Sequence, residues 1–175
     1  DGTRADGPPR KRLWRPIARL DEALVREASG VVASRKYPGV LWAHGDSGNA
    51  PKLAAFDTNG VRICEVIVSA APNIDWEDIC ADDAGHLFIG DIGNNTGLLP
   101  VRYIYQIDEP DPHHPPQHPI TPTRSWRVRY GASQRVNCES LFMHRNRFHT
   151  VVRRPAGRST VYRLEPNDAG DLVFE

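Results

Sequence analysis

Oxygen-bearing side chains recur two residues apart at matching places along the chain. Asp75 and Glu77 form one such pair, Asn137 and Glu139 form another, and Glu27 occupies the equivalent position of an earlier segment. Side chains two residues apart on a β-strand point to the same face. Each pair therefore presents its oxygen donors together if it lies at the start of a strand.

A second set of polar residues, Asp46, Asp91 and Asn94, follows runs of β-type residues. Neighbouring strands of an antiparallel sheet run in opposite directions, so the start of one lies beside the end of the next. We therefore expect the two sets to meet at one end of the sheet. Carboxylates packed together raise one another's pKa unless a cation relieves them. Oxygen donors without cysteine or organised histidine suit Ca²⁺ or Mg²⁺.

These residues predict a divalent-cation site, with Ca²⁺ as the candidate ion. The predicted metal ligands are Glu77, Asp91 and Glu139, and the predicted ligand-contacting residues are Glu27, Asp46, Asp75, Asn94 and Asn137. Two other roles stay open for the same side chains. Asp and Asn at strand ends commonly bond nearby backbone, which would knit one part of the fold to the next. A carboxyl group could also transfer a proton.

The elements that must position these residues repeat three times. Each segment holds four short β-type runs separated by turn residues, and the segments start at Ser29, Glu77 and Glu139, 48 and then 62 residues apart. Four-stranded units at such spacing are typical of β-propeller blades. The longer second interval contains residues 109–123, with six prolines and three histidines. Since proline cannot donate to a ladder, this stretch predicts a surface excursion.

The predicted fold class is all-β, a partial β-propeller with about three four-stranded blades. The expected blades span residues 27–71, 72–131 and 132–175, a possible closing strand spans 13–20, and a flexible segment spans 1–12. Propellers have about 4–8 blades, so three blades cannot close a ring. We expect either a truncated propeller or half of a ring that a second copy of the chain completes.

Composition narrows the classes of function. The chain has 175 residues, with 22 Lys and Arg against 22 Asp and Glu, so its formal net charge is zero. Residues 27–123 carry five basic and thirteen acidic side chains, a net charge of −8, which would repel nucleic acid. No apolar run approaches the roughly 18 residues of a membrane span. The three cysteines, Cys64, Cys80 and Cys138, lack metal-site spacing and are expected to pack rather than react.

The motifs that carry a family resemblance are Ser34-Arg-Lys-Tyr-Pro-Gly39, Leu41-Trp-Ala-His-Gly-Asp-Ser-Gly-Asn49, Asn73-Ile-Asp-Trp-Glu-Asp-Ile79 and Gly90-Asp-Ile-Gly-Asn-Asn95. Over roughly residues 13–165 the chain resembles a bacterial family of secreted or periplasmic β-propellers, some of them described as WD40-like or phytase esterase-like. The resemblance implies a propeller fold, a usual chain longer than this one, and a periplasmic or extracellular location. It implies no particular activity, because fold does not determine function.

Two functions fit these features. In the first, the chain is a binding or scaffold module whose channel mouth holds a divalent cation or a small polar ligand, with an unidentified small molecule or protein as its partner. In the second, it is a metal-assisted hydrolase of an ester, lactone or phosphate, in which Asp75 is a possible base. The sequence favours the first function, because it offers no dedicated nucleophile or histidine base in a fixed place.

Overall fold

The structure is a computed structural model that describes residues 16–20, 25–98, 101–129, 136–153 and 158–174. The predicted flexible segment at 1–12 lies outside these ranges. Residues 16–20 of the predicted closing strand form no strand, and residues 13–15 lie outside the described part of the chain. Across the described ranges, no helix has the length and apolar character needed to span a bilayer.

Within these ranges the chain forms strands in three groups of four. The first group is β1 (Ala28–Ala33), β2 (Val40–Gly45), β3 (Lys52–Asp57) and β4 (Arg62–Ile67). The second is β5 (Trp76–Ala81), β6 (His86–Asp91), β7 (Val101–Asp108) and β8 (Arg124–Arg129). The third is β9 (Asn137–His144), β10 (Arg147–Arg153), β11 (Ser159–Pro166) and β12 (Leu172–Phe174). Consecutive strands of each group pair antiparallel, which confirms the predicted all-β, partial β-propeller fold.

The same turn chemistry closes one hairpin in each group. An Asp or Asn side chain accepts hydrogen bonds from the backbone N–H groups two and four residues later, at Asp57, Asp82 and Asn167. A glycine stands three residues after each, with φ values of 79°, 88° and 76° at Gly60, Gly85 and Gly170. Glycine adopts positive φ without steric cost. The local sequence therefore specifies where these strands end.

Apolar side chains fill the two spaces between the three groups. The core between the first and second groups includes Trp42, Leu53, Trp76, Leu87 and Ile89. The core between the second and third groups includes Phe88, Ile104, Val128, Leu141 and Leu164. Successive side chains of a strand alternate between faces, so Leu87 and Phe88 of β6 enter opposite cores. The second group is thus buried on both faces, like a blade between two neighbours.

All three cysteines are buried and form no disulfide. Burial raises the pKa of Cys64 and raises that of Cys80 to about 12, so these two thiols stay protonated at neutral pH. A protonated, buried thiol packs as a small apolar side chain. The structure therefore agrees with a packing role for these residues.

The first strands of the three groups lie side by side. The Ser29 hydroxyl of β1 donates to the Glu77 carbonyl of β5 over 2.9 Å, and the Leu141 N–H of β9 donates to the Asp78 carboxylate of β5 over 2.8 Å. Gly30 allows the close approach of β1 to β5, because a Cβ there would lie 2.9 Å from the Asp78 Cα. This arrangement brings together the inner ends of all three groups.

The second and third groups are also joined at their outer edge. Strands β8 and β12 pair in parallel, with Leu172 opposite Val128, and so make one eight-stranded sheet. Asp171, just before β12, accepts hydrogen bonds from Arg127 over 2.7 Å and from Arg129. These ion pairs bind the outer edges of two blades to each other.

The proline-rich excursion is anchored at both ends to the first group. Glu109 is buried and accepts a hydrogen bond from the Trp42 indole over 2.9 Å. Ile120 forms a parallel bridge with Val68, directly after β4. Residues 113–119 between these anchors are all exposed. The stretch is a surface excursion, as predicted, and it also ties the second group to the first.

Candidate functional site

Three carboxylates meet where the first and second groups adjoin. One oxygen from each of Asp46, Asp75 and Glu77 lies within 4.8 Å of the other two. Asp46 directly follows β2, Asp75 directly precedes β5, and Glu77 is the second residue of β5. The Asn73 side chain donates to the carbonyl oxygens of Gly45 and Asp46, over 3.1 and 2.9 Å, and so holds the start of β5 against the end of β2.

An irregularity in β5 sets the direction of Glu77. The register between β5 and β6 shifts between Trp76 and Asp78, which leaves Glu77 as the extra residue of a β-bulge. Bulges turn a side chain away from the regular pleat. A Cβ at Gly93 would collide with the carboxylates of Asp75 and Glu77, so a larger residue there would displace these side chains. Backbone and side chains together close this side of the cluster.

Electrostatics disfavour charge on the cluster in the absence of a cation. Burial raises the pKa of Glu77 to about 8, with further increases from the nearby carboxylates of Glu139, Asp75 and Asp46. Burial also raises the pKa of Asp75. Glu77 is only 8% exposed, and its carboxylate lies beside those of Asp46 and Asp75. Glu77 is thus a largely buried acid whose nearest charged neighbours are mostly other carboxylates.

A buried ion pair lies beneath the cluster. The Arg102 guanidinium of β7 contacts Asp91 Oδ1 over 2.5 Å, and the Asp75 N–H donates to the same oxygen over 2.7 Å. Arg102 is 1% exposed and Asp91 is fully buried. Burial raises the pKa of Asp91 to about 6, and Arg102 opposes that rise. Asp91 therefore fixes the backbone at Asp75, and it is not one of the three clustered carboxylates.

Sequence reasoning missed Arg102. The available signal was its position on β7. Arg102 lies two residues before Ile104, so both side chains belong to the buried face of the strand. An arginine on a buried face needs an acidic partner. That requirement could have paired it with an acid on the neighbouring β6.

The predicted pair of the third group contacts the loop after β6. The Asn137 side chain accepts from the Asn94 N–H over 2.6 Å and donates to Glu139 over 2.8 Å and to Asn95 over 3.0 Å. Arg153 lies 3.6 Å from the Glu139 carboxylate. Glu139 is close enough to Glu77 to raise its pKa. Asn94, Asn137 and Glu139 therefore border the carboxylate cluster.

Glu27 is placed differently from the other predicted residues. Its backbone has a φ of 48° and its side chain is exposed. Its carbonyl oxygen accepts the Asp46 N–H over 2.9 Å. Glu27 thus supports the end of β2 through its backbone, and its carboxylate is not among the three clustered oxygens.

A small pocket opens next to the cluster. Its volume is ≈ 240 Å³, and its lining residues are Ser47, Ile74, Asp75, Asn94, Asn95 and Thr96. Asp75 belongs to both the pocket and the cluster. The arrangement offers hard oxygen donors at close range, which is the chemistry that binds Ca²⁺ or Mg²⁺.

No protein-family model matches the chain, and no curated protein matches it. Solved structures match it at low identity. The WD40 β-propeller domain of Doa1 is 13% identical, over 83% of this chain and 39% of its own chain, with a TM-score of 0.43. A humanized mutant of the Chaetomium thermophilum Polycomb Repressive Complex 2 is 12% identical, over 82% of this chain and 29% of its own, with a TM-score of 0.46. This chain thus spans well under half the length of these structures, and the likeness concerns the fold alone.

Proposed function

We propose that the chain is a propeller-type binding module that holds a divalent cation, Ca²⁺ before Mg²⁺, among Asp46, Asp75 and Glu77. The observation that carries the proposal is the cluster itself: one carboxylate oxygen from each of these residues lies within 4.8 Å of the other two, and Asp75 and Glu77 are buried. Burying an unpaired charge is costly. A bound cation would compensate these charges and lower the pKa of Glu77.

Calcium suits the donor set better than magnesium. Ca²⁺ accepts 6–8 oxygen ligands in flexible geometry, whereas Mg²⁺ demands a near-ideal octahedron. Three carboxylates, from the end of β2 and the start of β5, supply part of such a shell, and the adjoining pocket leaves room for water or a ligand. A periplasmic or extracellular location, as the family resemblance implies, would fit a Kd of about 10⁻⁴–10⁻³ M. Location and partner identity remain predictions.

The geometry favours binding over hydrolysis. A hydrolase needs a base or nucleophile beside the reacting group. Ser47 hydrogen-bonds to the Asp75 side chain. His44 is buried and directs Nδ1 to the Gly45 carbonyl over 3.0 Å, and burial lowers its pKa. Neither residue is arranged as a nucleophile–base pair, so the binding role is the one we propose.

Isothermal titration of the EDTA-treated protein with CaCl₂ tests the proposal, with thermal melting as a second readout. At a hundredfold excess over Kd, binding would stabilise the fold by about 2.7 kcal/mol. For a chain of this size the expected rise in Tm is about 5–10 °C. Glu77→Gln should lose most of this rise, because an amide cannot replace the carboxylate charge.

Asp83→Asn is the matched control, since Asp83 is an exposed acid in the turn after β5. It should bind Ca²⁺ like the wild type. The proposal fails if the wild type shows neither heat nor a Tm shift, or if Glu77→Gln responds as the wild type does.

A further inference from the structure

We infer that the pocket beside the cluster takes a small neutral polyhydroxy ligand, such as a monosaccharide, whose hydroxyl groups complete the coordination shell of the cation. The inference rests on the proposed function, because it needs a cation bound by Asp75. It adds the class of ligand to that site.

The size of the pocket limits the ligand. The pocket measures ≈ 240 Å³, whereas pockets for drug-sized ligands span about 300–1,000 Å³. The pocket is therefore smaller than the usual site for a drug-sized molecule. Its volume is the space of one sugar ring with its hydroxyl groups, and not of a longer chain buried along its length.

The lining residues match hydroxyl groups. Ser47 and Thr96 contribute hydroxyls, which both donate and accept hydrogen bonds. The Asn95 amide oxygen accepts from Asn137, so its NH₂ group is the part that can donate to a ligand. Ile74, 49% exposed, is the apolar lining residue and offers a surface for the C–H face of a ring.

Charge selects against an ionic ligand. The lining set contains no lysine or arginine. The carboxylates of Asp46, Asp75 and Glu139 all raise the pKa of Glu77. Of the cationic groups near them, Arg102 is buried and paired with Asp91, and Arg153 lies 3.6 Å from Glu139. Three clustered carboxylates and one divalent cation keep a net negative charge, which would repel a phosphate or carboxylate. An ammonium group would compete with the metal instead of joining it.

Asp75 connects the two parts of the site. It lies in the cation cluster and in the pocket wall, so a ligand in the pocket stands next to the ion. Neutral hydroxyl oxygens are acceptable Ca²⁺ ligands in the same way as water and carbonyl oxygens. A sugar with two adjacent hydroxyls can therefore replace two waters of the bound ion.

Calorimetric titrations with D-mannose and myo-inositol test this inference, in 5 mM CaCl₂ and in EDTA, with glucose 6-phosphate as the anionic probe. We expect at least one neutral probe to bind, at least tenfold more tightly with Ca²⁺ than in EDTA, and more tightly than the phosphate. Thr96→Val should weaken that binding about fivefold, the effect of one hydrogen bond, and leave Ca²⁺ affinity unchanged. Thr58→Val, in the exposed turn after β3, is the control and should change neither.

The outcomes separate this inference from the proposed function. If Ca²⁺ binds but neither neutral probe does, or if Thr96→Val and Thr58→Val behave alike, the ligand class is wrong and the cation site stands. If glucose 6-phosphate binds more tightly than the neutral probes, the site accepts anions and the inference is overturned. If Ca²⁺ alone produces neither heat nor a Tm shift, both proposals fall together.

Discussion

Two acidic centres of this protein differ in how their buried negative charge is compensated. At the outer edge, Asp171 is 2% exposed and is bracketed by Arg127 and Arg129, which hold its pKa below the usual range. At the inner ends of the first two groups, Asp46, Asp75 and Glu77 meet without a cation among them, and the pKa of Glu77 rises to about 8.

The difference separates a structural acid from a site. Two arginines of β8 neutralise Asp171, and these ion pairs help to join β8 to β12. At the inner cluster Arg102 forms its ion pair with Asp91, and its opposing effect on the pKa of Asp75 and Glu77 is outweighed by their burial. The upper carboxylates remain unneutralised, which is the condition a ligand can relieve.

Removing the Arg102 guanidinium should have the largest effect on stability. Arg102→Met leaves Asp91 buried and unpaired, so the free energy of unfolding should fall by about 3–5 kcal/mol. Urea denaturation measures the change. Arg35→Met, which breaks an exposed pair with Asp83 at 3.8 Å, is the control and should cost less than about 1 kcal/mol. Equal losses in the two variants would show that the pair beneath the cluster contributes no more than a surface contact.

Removing the outer acid should cost less. Asp171→Asn takes the shared partner from Arg127 and Arg129, whose side chains are half exposed and can be solvated by water. We expect destabilisation below that of Arg102→Met and above that of Asp168→Asn, an exposed acid of the same turn. A loss as large as that of Arg102→Met would mean that the ion pairs of Asp171 stabilise the fold as much as the Asp91–Arg102 pair does.

The two centres should respond to pH with opposite signs. The pKa of Glu77 is higher in the folded state than its usual 4.5, so its contribution is fully present below pH 4.5 and is lost as the pH rises through about 8. In EDTA, Glu77→Gln should therefore gain stability over the wild type between pH 5 and 9, reaching about 2–4 °C in Tm.

The contribution of Asp171 is present above its usual pKa of 3.8 and is lost as the pH falls through the lower pKa of the folded state. The Tm difference between Asp171→Asn and the wild type should stay constant from pH 5 to 9. A Glu77→Gln difference that is equally flat would show that Glu77 is an ordinary surface acid.

A rise in salt concentration should change the stability differences between these variants least of all. At 1 M NaCl the Debye length is about 3 Å, which screens exposed pairs more than buried ones. The destabilisation by Asp171→Asn should shrink in 1 M NaCl, whereas that by Arg102→Met should not change. Parallel urea titrations at 0.1 and 1 M NaCl measure both. An equal reduction in both variants would contradict the burial of the Asp91–Arg102 pair.

Much of the fold could be predicted because its signals are local. The turns at Asp57, Asp82 and Asn167 end strands through side chains a few residues from the backbone groups they bond. The repeat then placed Asp75 beside Glu77 and Asn137 beside Glu139, and the structure has both pairs near the inner ends of the blades. The parallel pairing of β8 with β12 could not be predicted, since it joins residues more than 40 positions apart through only a few backbone contacts.

The amino-acid sequence by itself determined the strands, their grouping into three units and the acidic character of one end, because periodicity and turn chemistry act over a few residues. Only the tertiary structure decided which acids are neutralised. Asp91 is the last residue of β6 and Asp46 directly follows β2, yet the packing of β7 pairs Arg102 with Asp91 and leaves Asp46 with Asp75 and Glu77. The pKa of a carboxylate depends on distance and burial in three dimensions, and neither quantity can be derived from spacing along the chain.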